Sequence, residues 1–140
     1  MEINTCFYSS FVFIINVLVA FYCNYYLYAA LFLVLLVTSL LYHCQYTYLT
    51  NILDKIAIFS IVFYGGWVFY KRLICSESFN IKQLMLSLLI VTTFLSTAVL
   101  YYYGYLNKCL CFCDDPTQAN LFHSLVHCVS CIGHCCVMVL

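Results

Sequence analysis

Charge is what this chain has least of. Only 7% of its 140 residues are charged, five basic and five acidic, for a formal net charge of zero. A soluble domain carries about a quarter charged residues, because its surface must face water. So sparse a set cannot clothe a water-soluble globule. There is no clustered stripe of Lys and Arg either, which excludes nucleic acid as a partner, since phosphate binding needs one. The alternating polarity of a membrane β-barrel strand is absent. The first Lys is Lys55, so the apolar stretch that begins near Cys6 has no basic leader and reads as a retained first span. With one Pro, no internal repeat and no dividing linker, residues 1–140 read as a single domain.

What is present is hydrocarbon. The chain is 66% hydrophobic with mean hydropathy +1.03, the composition of an integral, multi-pass membrane protein. A transmembrane helix needs about 20 apolar residues. By that measure the sequence predicts an all-α polytopic bundle of five spans at about 6–22, 26–43, 52–70, 83–103 and 116–140. Of fourteen Tyr many fall near segment ends, at Tyr22, Tyr25, Tyr26, Tyr28, Tyr42, Tyr70 and Tyr101 to Tyr103, and these read as belts at headgroup level. Asp115-Pro116 offers an N-cap followed by Pro at the first helical position. Thr50 or Asn51 can cap the third span. Gly65-Gly66 reads as a close helix approach. Lys71, Arg72 and Lys82 outweigh Lys55 and Lys108 across the bilayer, which by the positive-inside rule places the N-terminus away from the cytosol.

Against this background five polar residues stand out: Ser39 and His43 in S-L-L-Y-H, Asp54, and His123 and His127 in H-S-L-V-H. Ionisable groups are costly within a membrane and mark functional candidates. Span parity brings them together. The second span ends, and the third and fifth begin, on the side of the N-terminus, so all five lie at similar depth in one leaflet. Residues four apart share a helix face, which pairs Ser39 with His43 and His123 with His127. Three neutral imidazoles with a fourth position open to water are the pattern of a catalytic zinc site, where the metal generates a nucleophile near neutral pH. Asp54 can then serve as general base or orient a ligand. Ser39 can hydrogen-bond a ligand or the developing oxyanion. Taken singly, each has a blander reading: a helix–helix hydrogen bond for a His, an interfacial pair with Lys55 for Asp54. Their conjunction favours the metal.

These residues resemble the superfamily that unites alkaline ceramidases, progestin/adiponectin receptors and GPI-remodelling membrane hydrolases. The likeness lies in S-x3-H ending one core helix, an Asp starting the next, and H-x3-H in the last. The interval from His43 to Asp54 is closest to the ceramidase branch. The resemblance implies Zn2+ on His43, His123 and His127, Asp54 and Ser39 beside the reacting water, and hydrolysis of a lipid amide, ceramide-like, or a lipid ester in an endomembrane such as ER or Golgi. The family core has seven helices, so two are missing here between the third and the last. A second copy of the chain could restore that wall, which makes a homo-oligomer a candidate assembly. The alternatives are a non-enzymatic, receptor-like or membrane-remodelling protein of the same fold, or a small structural membrane protein.

His134, seven residues after His127, reads as packed or hydrogen-bonded. The eleven Cys do not form paired zinc-finger spacings. Those of the last span read as small buried hydrophobes. Cys109, Cys111 and Cys113 are open to disulfide formation or palmitoylation, according to the side of the membrane they face.

Overall fold

The computed structural model describes residues 5–75 and 80–140, and within them the chain is all-α. Five helical segments are long and apolar enough to cross a membrane: Thr5–Tyr22, Tyr26–Gln45, Tyr48–Ile74, Ile81–Asn107 and Pro116–Val139. This is the architecture of a multi-pass membrane protein.

The first segment is two helices, α1 (Thr5–Ser10) and α2 (Phe13–Tyr22). Between them the amides of Phe11, Val12, Ile14 and Ile15 bond three residues back instead of four. The side chains of Ser9 and Ser10 both bond the Cys6 carbonyl, at 3.0 and 2.8 Å, and hydroxyls that bond back onto their own helix bend it. Next come α3 (Tyr26–Gln45) and α4 (Tyr48–Ile74). Here the helix start differs from the sequence reading. Thr47 is the N-cap and Thr50 its capping-box partner at the third position, so α4 begins four residues before Ile52 and Asp54 sits two turns in. At its other end α4 continues past Lys71 to Ile74. Arg72 reaches back to donate to the Tyr25 hydroxyl at 2.9 Å.

The fourth segment starts at Ile81, where Asn80 and Gln83 form a second capping box. It comprises α5 (Ile81–Ala98), a wider π-type turn at Val99–Tyr103 and the short α6 (Gly104–Asn107). After a 3₁₀ turn at Leu110–Phe112, α7 (Pro116–Val139) closes the bundle. Its N-cap is Asp115, whose carboxylate accepts from the Thr117 amide at 2.9 Å, as the Asp115-Pro116 pair predicts.

α3 packs along α2 and α4, α7 packs along α5, and α1 and α2 lie between α3 and α7. Lipid is as apolar as Leu, so helices associate by close packing of small residues. Ala20, Ala29 and Ala57 are buried at these contacts. Among the described residues α4 and α5 do not pack along one another. A polar tie bridges from α4 to the π-type turn beyond α5, where the Lys55 ammonium donates to the Tyr101 hydroxyl.

Of the glycine pair, only Gly65 mediates a close approach. A Cβ there would collide with the Tyr28 hydroxyl and sit 3.0 Å from His134 Nδ1, whereas a Cβ on Gly66 would meet nothing within 4 Å. Tyr28 is therefore no headgroup anchor. It is fully buried and hydrogen-bonds His134. We expect Gly65→Ala to cost about 1–3 kcal/mol through overpacking, visible as a lower melting temperature in detergent. Gly66→Ala should be neutral or slightly stabilising, because Ala is the better helix former. Equal melting of both variants would refute the contact.

Candidate metal centre

The last turn of α3 carries His43, and the third and fourth turns of α7 carry His123 and His127. Their rings form a closed triangle: centroids lie 5.1 Å apart for His43–His123, 5.4 Å for His43–His127 and 5.0 Å for His123–His127. One nitrogen of each ring lies within 4.8 Å of the others. Tetrahedral zinc, with Zn–N of about 2.0–2.1 Å, spaces its nitrogens by about 3.4 Å. The three rings meet that spacing with shifts of less than about 1 Å each.

The chemistry of the donor set fits as well. His43 is buried, yet neither of its ring nitrogens has a hydrogen-bond partner within the protein. A buried polar atom left unpaired costs about 1–3 kcal/mol. An ion shared with His123 and His127 would satisfy one of the two. His127 is buried too, and its Nδ1 lies 2.8 Å from Ser9 Oγ on α1. The adjacent Ser10 Oγ lies 2.9 Å from Ser39 Oγ. The kinked entry of the first span thus supplies one hydroxyl to the imidazole of α7 and one to the hydroxyl of α3.

Asp54 and Ser39 line, with His127, one end of a mostly apolar cavity of about 100 Å³. One carboxylate oxygen of Asp54, Oδ1, is buried with no partner, while Thr38 lies beside the same carboxyl group. The cavity runs between α4 and α5 to Thr93, Gly133 and His134. At that deep end His134 is held by Tyr28 and by the edges of Phe32 and Phe94, with centroids 5.3 Å away in both cases. It is a packed, hydrogen-bonded His and does not join the triangle.

Lys55 reaches Tyr101, over whose ring its ammonium sits 4.3 Å from the centroid. The π-type turn aims Tyr101 inward. Its ring stands 6.1 Å from that of His123 and 5.1 Å from that of Phe112 in the following loop. Inserted π turns frequently mark functional sites. In that loop Cys111 is buried among the eleven free thiols, and burial, with Cys6 nearby, pushes its thiol up to about 11.

Ser9, Ser10 and Tyr101 were missed by sequence reasoning. The signal for the serines was present: the first span also starts on the side of the N-terminus, so parity places a Ser-Ser doublet at the depth of the imidazoles. Tyr101 was absorbed into an aromatic belt, because three consecutive Tyr read alike until a π turn singles one out. No family model matches the chain, and no curated protein and no solved structure is similar to it.

Proposed function

We propose that this protein is a zinc-dependent membrane hydrolase that cleaves a lipid amide, ceramide-like, or a lipid ester. The observation that carries the reading is the convergence of three imidazoles from two helices beside a cavity that Asp54 and Ser39 line. His43, His123 and His127 are the residues that would hold the ion. When bound, zinc supplies a Lewis acid that makes water nucleophilic near neutral pH and polarises a carbonyl.

The chain's own residues divide the remaining work. Asp54 Oδ1, free of protein donors, takes a proton from water in the cavity and returns it to the leaving amine or alcohol. Tyr101 accepts a hydrogen bond from Lys55, which leaves its own proton free and makes it a stronger donor. Placed beside His123, it is our candidate donor for the developing oxyanion. The apolar cavity walls, Ile58, Ile61, Val62 and Phe94, suit hydrocarbon. The gap between α4 and α5 lets an acyl chain enter from the bilayer, where such a lipid resides. We assign the protein to an endomembrane on the same reading.

That same gap favours a second reading. With α4 and α5 unpacked, the substrate wall is incomplete, and the metal would serve as a brace in a non-enzymatic membrane protein. Zinc stoichiometry and lipid turnover on the purified full chain test both. We expect one zinc per chain and release of fatty acid from a ceramide-like amide or an ester lipid. Zinc without turnover of either would leave only the brace. A folded protein that takes up no zinc would overturn both readings.

A further inference from the structure

The polar groups of α1 have a definite direction. Each Ser hydroxyl has one hydrogen, and a backbone carbonyl can only accept. Ser9 Oγ lies 3.0 Å and Ser10 Oγ 2.8 Å from the Cys6 carbonyl oxygen. Placing each hydrogen on the Cys6 carbonyl leaves both Ser oxygens to accept from their second partners. For Ser9 that partner is His127 Nδ1 at 2.8 Å, and for Ser10 it is Ser39 Oγ at 2.9 Å.

We infer that Ser9 is a positioning residue which, with its hydrogen committed to the Cys6 carbonyl, holds His127 in the Nδ1–H tautomer and points the Nε2 lone pair at the metal position. The inference rests on the metal reading of the three imidazoles. It explains why α1 is broken from α2: the kink at Phe11 and Val12 is the local consequence of the same two hydroxyl–carbonyl bonds that orient the site. Histidine ligands elsewhere are fixed in the same way, by an acceptor on the nitrogen that does not bind the metal, and losing that acceptor costs about 10–100-fold in affinity. Ser10 has the parallel effect on Ser39. The Ser39 hydrogen is spent on Ser10, so Ser39 turns only lone pairs to the cavity. There it accepts a hydrogen bond from water and does not donate to an oxyanion. This narrows the two roles its position in the sequence left open and leaves the donor role to Tyr101.

The test uses the full chain labelled with ¹⁵N-histidine, first without metal. The ring nitrogens of His127 should report the Nδ1–H tautomer in the native protein. They should report an Nε2–H or mixed population in Ser9→Ala and a return to Nδ1–H in Ser9→Thr, which restores the hydroxyl. Zinc titration should then show affinity reduced about 10–100-fold in Ser9→Ala and recovered in Ser9→Thr, with Ser10→Ala near the native value. An Nε2–H His127 in the native protein, or native zinc affinity in Ser9→Ala, overturns the role of Ser9 and leaves the metal reading intact. Failure of the native protein to bind zinc overturns the metal reading, and the tautomer measurement still decides the hydrogen bond.

Discussion

Replacing His43 by Ala should abolish stoichiometric zinc binding and with it the stabilisation that zinc gives the fold. His123 and His127 both belong to α7, so an ion held by those two alone would tie nothing together. His43 is the only one of the three ligands from α3. α1 and α2 lie between α3 and α7, which meet at His134 through Tyr28 and Phe32, so the imidazole triangle is a second long-range tie between them, at the other end of the cavity. A ligand that binds only the folded form stabilises it by about 4 kcal/mol at a thousand times its dissociation constant. The native protein should therefore melt higher with zinc than after chelation. His43→Ala should melt at one temperature in both conditions. Its affinity should fall by more than the roughly 10–100-fold expected for loss of a supporting partner. Removing His43 also deletes two unpaired buried nitrogens, which offsets part of the cost of the cavity that Ala leaves in the chelated variant. A zinc-dependent shift that survives in His43→Ala would remove His43 from the ligand set and leave the triangle a packing contact.

The legible parts of this molecule are those set by local chemistry and by counting. Five apolar runs give five spans, and Asp115-Pro116 fixes the start of α7 because the N-cap oxygen and the missing proline N–H act within one turn. Parity is global, yet it needs only the number of crossings, which is why residue order alone gathers Ser39, His43, Asp54, His123 and His127 at one depth. Two kinds of feature escaped. One arises where a side chain competes with the backbone ladder: Ser9 and Ser10 bond Cys6 and split the first span, and Thr47 outcompetes Thr50 and Asn51 as cap, which lengthens α4 and moves Asp54 inward by a turn. The other depends on packing between helices. Tyr28 and Tyr101 have the same local signature as the Tyr residues that the sequence reads as a headgroup belt. Only contact with His134 and with Lys55 separates them from the belt, and no periodicity in the sequence encodes those contacts. The open seam between α4 and α5 is of the same kind. Five spans can be counted along the chain, but which of them lie unpacked against a neighbour is decided by the bundle as a whole.

Asp54→Asn supplies the sharpest discrimination between a working site and an inert one, because catalysis and stability should move in opposite directions. Asn keeps the shape of Asp but is not a base at neutral pH. If Asp54 carries the proton, turnover should fall about 10²–10⁴-fold, the range that general acid–base catalysis contributes. The zinc content should stay native, since the three imidazoles are untouched. The fold itself should gain. Asp54 is 5% exposed, with Oδ1 buried and unpartnered, and burying a carboxylate without full hydrogen bonding is expensive. Removing its charge should therefore raise the melting temperature of the chelated protein, the trade expected where a strained group is kept for activity. A structural Asp predicts the reverse, because loss of a paired buried charge destabilises. If zinc departs together with turnover, Asp54 is a ligand and not the base. If turnover is unchanged, proton transfer belongs to another group. Should the variant be less stable while zinc and turnover stay native, the carboxylate serves the fold, and the cavity beside His127 loses its claim to be an active site.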